Sequence, residues 1–309
     1  MERAEGAGRA RYGRLAASGR ADRPRVRRAG ELGAVTADAA GADAATDATT
    51  GSSRSGRPVA IVTGSAVGIG RALCEVLARR GMHVVGLDVD ATENAAMAAA
   101  AGESVTAVTC DVGDAVTVKQ VVDDVVARTG RVDLLVNNAS VWNDTRLLSG
   151  GYEQQVAAWH RAMDACSDGA FHCTAAVAPT MVAGGGGVVV NMLTNHIREG
   201  EYITGAPATG YDAGKFALWR LTESWAVELR RHGIRVNGLS FGATDTPMLR
   251  GVSPQLSATA MRPEDMAEAV CAIVDQGPDG PTGRVWDVGF TGTPHDEALR
   301  QIAAIRTDV

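Results

Sequence analysis

The chain has 309 residues, 45% of them hydrophobic, and a formal net charge of −6. That is enough apolar material for one sizeable core or two small ones, and the negative balance gives no reason to expect nucleic acid as a partner. No stretch approaches the roughly 20 unbroken apolar residues of a membrane span, so no membrane role is expected.

Residues 1–57 are rich in Arg, Ala, Gly, Ser and Asp and nearly free of large apolar side chains. Such a segment cannot bury enough surface to offset its ordering entropy and is expected to be a disordered extension. Its first thirty residues carry nine arginines, but no aromatic residues interleave with them and no apolar signal core follows Arg27-Arg28. A solvated tail or an over-extended gene start therefore fits better than a nucleic-acid or targeting arm.

From Pro58 the texture changes to short β-branched runs alternating with longer helical segments. Strands are expected at 59–63, 83–88, 105–109, 132–137, 187–193, 234–240 and 283–288. Helices are expected near 68–80, 92–101, 114–129, 153–182, 211–231 and 263–276. The last helix starts with Pro263 in its first turn and Glu264 and Asp265 at the positive end of its dipole. Strand–helix alternation implies right-handed crossovers, and the continuous apolar strands imply burial on both faces. The expected fold is α/β: one doubly wound, Rossmann-type parallel sheet of about seven strands spanning 58–290, followed by a tail at 291–309.

The first strand runs into Thr63-Gly64-Ser65-Ala66-Val67-Gly68-Ile69-Gly70, and a helix opens there. Glycines at 64, 68 and 70 serve a tight turn, close backbone approach and helix–strand packing, and the helix N-terminus offers free N–H groups to a pyrophosphate. Asp88 ends the second strand at about the right distance to hold the ribose hydroxyls of a dinucleotide. A carboxylate there repels a 2′-phosphate, and no Lys or Arg stands among Ser65, Ala66 and Val67 to receive one, so NAD is expected over NADP. Asp90 competes for the same role.

Tyr211 and Lys215 stand four apart in a helical segment, so both point from one face. A phenol titrates near ~10, and a fixed ammonium beside it favours the phenolate. The pair can pass a proton to or from an alcohol oxygen; a surface tyrosine stacked on an aliphatic lysine stem gives the same spacing.

With these pieces, residues from about 58 to 290 resemble the short-chain dehydrogenase/reductase family. The resemblance rests on the glycine spacing, Tyr211-Asp212-Ala213-Gly214-Lys215, Asn137-Asn138-Ala139, and Cys110-Asp111-Val112 after the third strand. It implies that Tyr211 is the general acid/base and that Lys215 holds the nicotinamide ribose and lowers the tyrosine's pKa. Gly64, Ser65, Val67, Gly68, Ile69, Gly70 and Asp88 would form the dinucleotide loop. Asp111 and Val112 would touch the adenine, and Asn138 and Ala139 would line the groove. Thr246, in the segment Gly242-Ala243-Thr244-Asp245-Thr246, would reach the nicotinamide carboxamide, with Gly242 and Thr244 beside the cofactor.

The chain departs from the family pattern at two site positions. The usual Ser is represented by Thr194, three residues after Asn191, with Thr204 and Thr209 as rivals. The usual Asn is represented by Cys166, counted from Trp159 and Gly169. A threonine keeps a hydroxyl for the substrate oxygen, whereas a cysteine is a poor donor and acceptor and is more often inert packing. The segment from His196 to Gly210 is about four residues longer than usual. Smaller departures are Ser140, Phe241, and a final strand that lacks the double glycine near the usual tetramer interface.

The five cysteines are scattered, odd in number and without a CxxC, which argues against disulfides or a zinc site and for a reduced, cytoplasmic setting with no metal. The reading is an NAD-dependent oxidoreductase interconverting a secondary alcohol and a ketone, expected to assemble as a dimer or tetramer. An NADPH-dependent ketoreductase and a catalytically weakened cofactor-binding regulator are the rivals. Met248, Leu249, Val252, Leu256 and Met261 would give the substrate an apolar face, to which Trp142 could add; Arg198 and Arg250 could meet a carboxylate or simply be solvated.

Overall fold

The computed structural model describes residues 56–142, 147–148, 150–198, 208–289, 293 and 295–307. The expected disordered extension thus falls, apart from its last two residues, outside the described residues, as does Thr204.

The elements follow one another as strand and helix. In chain order they are β1 (Val59–Thr63), α1 (Gly68–Arg79), β2 (His83–Asp88), α2 (Ala91–Ala101), β3 (Val105–Thr109), α3 (Ala115–Thr129) and β4 (Leu134–Asn137). Next come α4 (Tyr152–Met163), α5 (Gly169–Ala183), β5 (Gly187–Met192), α6 (Thr209–Leu229) and β6 (Ile234–Phe241). The chain continues through α7 (Pro247–Val252), α8 (Pro254–Ser257), α9 (Pro263–Val274), β7 (Val285–Val288) and α10 (His295–Ile305).

All strand pairings are parallel, and the sheet order is β3-β2-β1-β4-β5-β6-β7. This is the expected doubly wound sheet. Its inner strands β2, β1, β4, β5 and β6 are largely buried on both faces, which is why they read as continuous apolar runs. Ala60 and Val62 of β1 face the layer holding α1, α9 and α10, while Val59 and Ile61 face the layer holding α3, α5 and α6. The order reverses between β1 and β4, so the crevice for a ligand opens at the carboxyl ends of those two strands.

Local chemistry sets the helix ends. Asp90 caps α2 by accepting from the N–H groups of Thr92 and Glu93, and Asp114 does the same for α3 at Val116 and Thr117. The α3 helix stops at Gly130, which takes the left-handed conformation with φ 71°. Asp90 thereby serves as the cap of α2 through its Oδ1.

Three differences from the sequence reading stand out. The helix expected at 153–182 is two helices joined by a π turn at Asp164–Asp168. Gly169, just past this turn, packs so closely that a Cβ there would lie 2.5 Å from Val112 Cγ2. Secondly, the segment after Thr246 contains the short helices α7 and α8, each begun by a proline at its first turn. Thirdly, the expected C-terminal tail contains α10, whose Ala298, Ile302 and Ile305 enter the same apolar cluster as α1 and α9. The single-domain core therefore extends past residue 290.

That packing predicts a stability effect. Ile302→Ala, at a site 6% exposed, should lower the unfolding free energy by about 2–4 kcal/mol in a urea titration. Leu299→Ala, on the outer face at 41% exposure, should cost less than about 1 kcal/mol.

Candidate active site

The glycine loop is shaped by contact. A Cβ on Gly70 would lie 1.9 Å from the Gly64 carbonyl oxygen, and one on Gly64 would lie 2.9 Å from Ala139 Cα. Gly64 and Gly68 also hold positive φ, 66° and 58°, a region that side chains disfavour. Val67 occupies the N-cap of α1 and offers no side-chain cap, so the first amides of this helix keep their donors for an anion.

Asn138 and Thr63 hold the loop against β4. The Asn138 side-chain amide donates to the carbonyls of Thr63 and Gly64 at 2.9 and 3.0 Å, and the Thr63 hydroxyl accepts from the N–H groups of Asn138 and Ala139. Ser65 turns inward instead, donating to Asn94 Oδ1 at 2.7 Å; Asn94 in turn donates to the Gly86 and Val108 carbonyls. Sequence reasoning missed Asn94, whose only signal was a polar residue on the inner face of an alanine-rich helix.

One crevice unites most of the expected site. Its walls include Gly64, Val67, Gly68, Ile69, Asp88, Asn138 and Ala139 at one end, and Thr194, Tyr211, Lys215, Gly242, Thr244 and Thr246 at the other. Asp88 accepts from the N–H groups of Ala66 and Asp90, which fixes its carboxylate at the end of β2. Thr246 caps α7 through the Leu249 N–H, and its methyl lies against Gly68. Gly242 is required where it stands, since a Cβ would lie 1.7 Å from the Gly289 carbonyl oxygen. Cradle, carboxylate and uncapped helix together fit a dinucleotide.

Ser65 and Gly70 do not face the crevice; both are buried supports of the loop. Asp111 and Val112 are not among the lining residues either. Asp111 is exposed and accepts from the Gly113 N–H, one residue past Cys110, whose N–H bonds the Asp88 carbonyl. Val112 points its side chain into the core against Gly169, and its carbonyl pairs with His172 Nδ1 at 2.9 Å. The side chain of Val112 is thus a packing group.

Tyr211 and Lys215 both lie in the buried stripe of α6 and face the crevice, at 8% and 2% exposure. Their expected electrostatic coupling is not the dominant effect. Burial pushes the Tyr211 phenol well above its ordinary value; a hydrogen bond with Thr194 pulls it down, while Cys166 and Asp212 push it further up. Burial likewise pulls the Lys215 ammonium below its ordinary value, against an opposing effect of Cys166. Lys215 Nζ lies 5.7 Å from the Tyr211 ring centre and donates to the Met192 carbonyl at 2.7 Å. The ammonium is spent on a backbone acceptor, so loss of solvation decides the proton state of both groups.

Thr194 lines the crevice together with Tyr211, and its hydroxyl accepts from the His196 N–H at 3.2 Å. Thr209 is exposed at the start of α6 and lines no part of the crevice. Cys166 sits in the π turn, fully buried, against Gly214 of α6 and away from the crevice wall. Burial raises its thiol, which keeps it protonated and inert.

The apolar wall is present: Met248, Leu249, Val252 and Leu256 line the crevice together with Trp142, whose ring lies 5.0 Å from that of Tyr211. Met261 does not; it belongs to the core cluster and bridges to Thr244. Arg198 pairs with Asp287 and stacks over Trp219 at 4.1 Å, and Arg250 pairs with Asp245 at 2.7 Å. Neither arginine is left simply solvated, and neither lines the crevice to meet a substrate carboxylate.

Residues 58–257 match the short chain dehydrogenase family. The chain belongs to that family. Sorbitol dehydrogenase of Cereibacter sphaeroides is 34% identical over 246 residues, covering 78% of this chain and 92% of that protein. Cis-4-hydroxycyclohexanecarboxylate dehydrogenase of Sinomonas cyclohexanicum is 33% identical over 246 residues, covering 75% and 96%. Among solved structures, acetoin dehydrogenase YohF from Salmonella typhimurium superposes with a TM-score of 0.65 at 28% identity, covering 76% of this chain and 95% of that one. As a family member the chain is an oxidoreductase acting on CH–OH groups. No helix among the described residues is long and apolar enough to cross a membrane.

The raised phenol has a spectroscopic consequence. The chain has four tyrosines, and in the ligand-free protein Tyr211 should stay protonated while exposed phenols ionise near ~10. Titrated to about pH 10.5, wild type should therefore show no more phenolate absorbance than Tyr211→Phe. An extra phenolate in the wild type would place the Tyr211 value at or below the ordinary one.

Proposed function

We propose that the protein is an NAD(H)-dependent oxidoreductase interconverting a secondary alcohol and a ketone, with Tyr211 as the general acid/base. The observation that carries this reading is that Tyr211, Lys215 and Thr194 line one crevice continuous with the glycine loop. A nicotinamide dinucleotide, when bound, supplies or accepts the hydride.

The protein's own groups handle the proton and the orientation. A phenol kept neutral by burial is the form that can give a proton to a carbonyl oxygen, so the resting site is set for reduction. Thr194 holds a hydroxyl beside the phenol and can bond the same substrate oxygen. Lys215, underloaded as a cation and tied to Met192, is placed to stabilise the phenolate left behind once that oxygen has taken its proton. The apolar wall from Met248 to Leu256 excludes water from the reacting centre.

The NAD preference rests on Asp88, a carboxylate at the crevice wall with no cationic residue among Ser65, Ala66 and Val67. The relatives named for sorbitol, galactitol and hydroxycyclohexanecarboxylate support alcohols as the substrate class. Exposed Trp159, Phe171 and Phe216, on α4, α5 and α6, support self-association. Free, buried cysteines support a reducing, cytoplasmic setting.

Two measurements test the reading. Tyr211→Phe should remove turnover by at least about a thousandfold in an NADH absorbance assay while NADH binding by fluorescence stays near wild type; undiminished turnover would refute the assignment. Asp88→Ser should narrow the ratio of NAD to NADP specificity by about tenfold or more, measured as kcat/KM for the two cofactors. An unchanged ratio would remove Asp88 from cofactor selection.

A further inference from the structure

Beside the Tyr211, Thr194 and Lys215 groups, the crevice holds a second polar cluster that the proton transfer does not use. His196 follows Thr194 by two residues and is 5% exposed. Its Nδ1 bonds the carboxylate of Asp212 at 2.5 Å, and its ring meets Trp142 edge-on at 5.5 Å. Nε2, the other ring nitrogen, is buried and has no partner among the described residues; the same holds for the side-chain Nδ2 of Asn195. Asn195 and His196 both line the crevice, next to Thr194.

The chemistry of the unused atoms follows from their partners. A carboxylate only accepts, so His196 Nδ1 donates to Asp212, and the tautomer with its proton on Nδ1 leaves a lone pair at Nε2. Asn195 Nδ2 presents N–H donors. Two polar atoms are thus left unsatisfied and buried within residues that line the crevice beside Trp142, Met248 and Leu249. Such groups are costly unless a ligand or a water completes them. Among the described residues a substrate carboxylate would find no free cation here, since Lys215 bonds Met192 and Arg198 and Arg250 are paired. A hydroxyl matches: its O–H can donate to Nε2, and its oxygen can accept from an amide.

We propose that the substrate is a secondary alcohol bearing a second hydroxyl close to the reacting carbon, and that His196, positioned by Asp212, binds that second hydroxyl. The proposal rests on the alcohol-oxidoreductase reading above. It makes His196 and Asn195 the polar, direction-giving side of a substrate site whose other side is apolar.

The test compares cis-cyclohexane-1,2-diol with cyclohexanol, following NADH formation. Wild type should favour the diol by at least about tenfold in kcat/KM. His196→Ala should bring that ratio near one, chiefly through the KM for the diol, and His196→Gln, which keeps an acceptor, should restore part of it. In the Tyr211→Phe background, where turnover is removed, calorimetry should show the diol binding the protein–NAD complex and His196→Ala weakening it. Equal use of the two alcohols by wild type would mean that water fills the cluster, and would overturn the proposal while leaving the alcohol-oxidoreductase reading intact. A ratio that survives His196→Ala also overturns it, as does a larger gain for cis-2-hydroxycyclohexanecarboxylate, which would mark recognition of an anion by a protonated ring. Turnover of neither alcohol, with NADH still bound, would defeat the oxidoreductase reading and this inference with it.

Discussion

The site depends on one close approach: the backbone of the first strand–helix turn presses against the end of β4. Gly70 can meet the Gly64 carbonyl only because it lacks a Cβ, and Gly64 can meet Ala139 for the same reason. Two polar side chains then lock the approach. Thr63 accepts two backbone N–H groups from the β4 side, and Asn138 donates to two carbonyls on the β1 side. These bonds cross the point where strand order reverses, so they tie the glycine loop to the end of β4 at the mouth of the crevice. With the Thr63 hydroxyl and the Asn138 amide N–H groups both committed, the junction is fixed from two sides, and the uncapped amides of α1 are aimed by it.

The same economy of polar groups sets the second half of the site. A buried chain runs from Thr174 through Asn137 and Asn191 to Thr222, joining α5, β4, β5 and α6. It fixes α6 against the sheet, and α6 carries Tyr211 and Lys215. Because that helix is held deep, both groups lose hydration, and the cost falls on whichever form is charged. The phenol is driven toward its neutral form and the ammonium toward losing its proton. Fold stability and proton chemistry are therefore linked through one helix position, and no special contact between the two side chains is needed.

How much of this could be read from the residues depended on the range of the interaction. Strands and most helices were legible because their signals are local: continuous β-branched runs, Asp90 and Asp114 at helix starts, and glycines placed after a strand. Tyr211 and Lys215 were legible because four residues is one helical turn. Contacts between distant segments were not. Arg198 and Asp287 are 89 residues apart, and only the fold turns a possible substrate cation into a half-buried pair. His196 and Asp212 lie 16 apart across a loop, so neither looked special, although Asp212 beside Tyr211 was a signal once that helix was drawn. Val112 reads equally well as a cofactor contact or a core residue, and the missing Cβ of Gly169 decides for the core. The final helix was missed although Ala298, Ile302 and Ile305 follow a helical spacing, because polar residues dilute its apolar stripe.

The two walls of the substrate end are held by different physics, and this bears on what each can select. The wall made by α7 and α8 is anchored at its foot by Asp245, which accepts from Arg250 and Ser257. Those bonds hold the Asp245 carboxyl down at about 2, so the anchor remains charged down to pH values far below neutrality and loosens only as the pH falls through that value. Above this foot, Met248, Leu249, Val252 and Leu256 offer burial without direction; a wall of that kind discriminates by size and tolerates isosteres. The opposite wall lies just past the end of β5, where Thr194 caps a single 3-10 turn at Asn195–Ile197, and hydrogen-bonding groups held there disfavour any ligand that fails to match them. Selectivity for shape and selectivity for pattern are thus assigned to separate elements. The first could drift by substitution along α7 and α8 without disturbing the second, which is tied through the His196–Asp212 bond to α6.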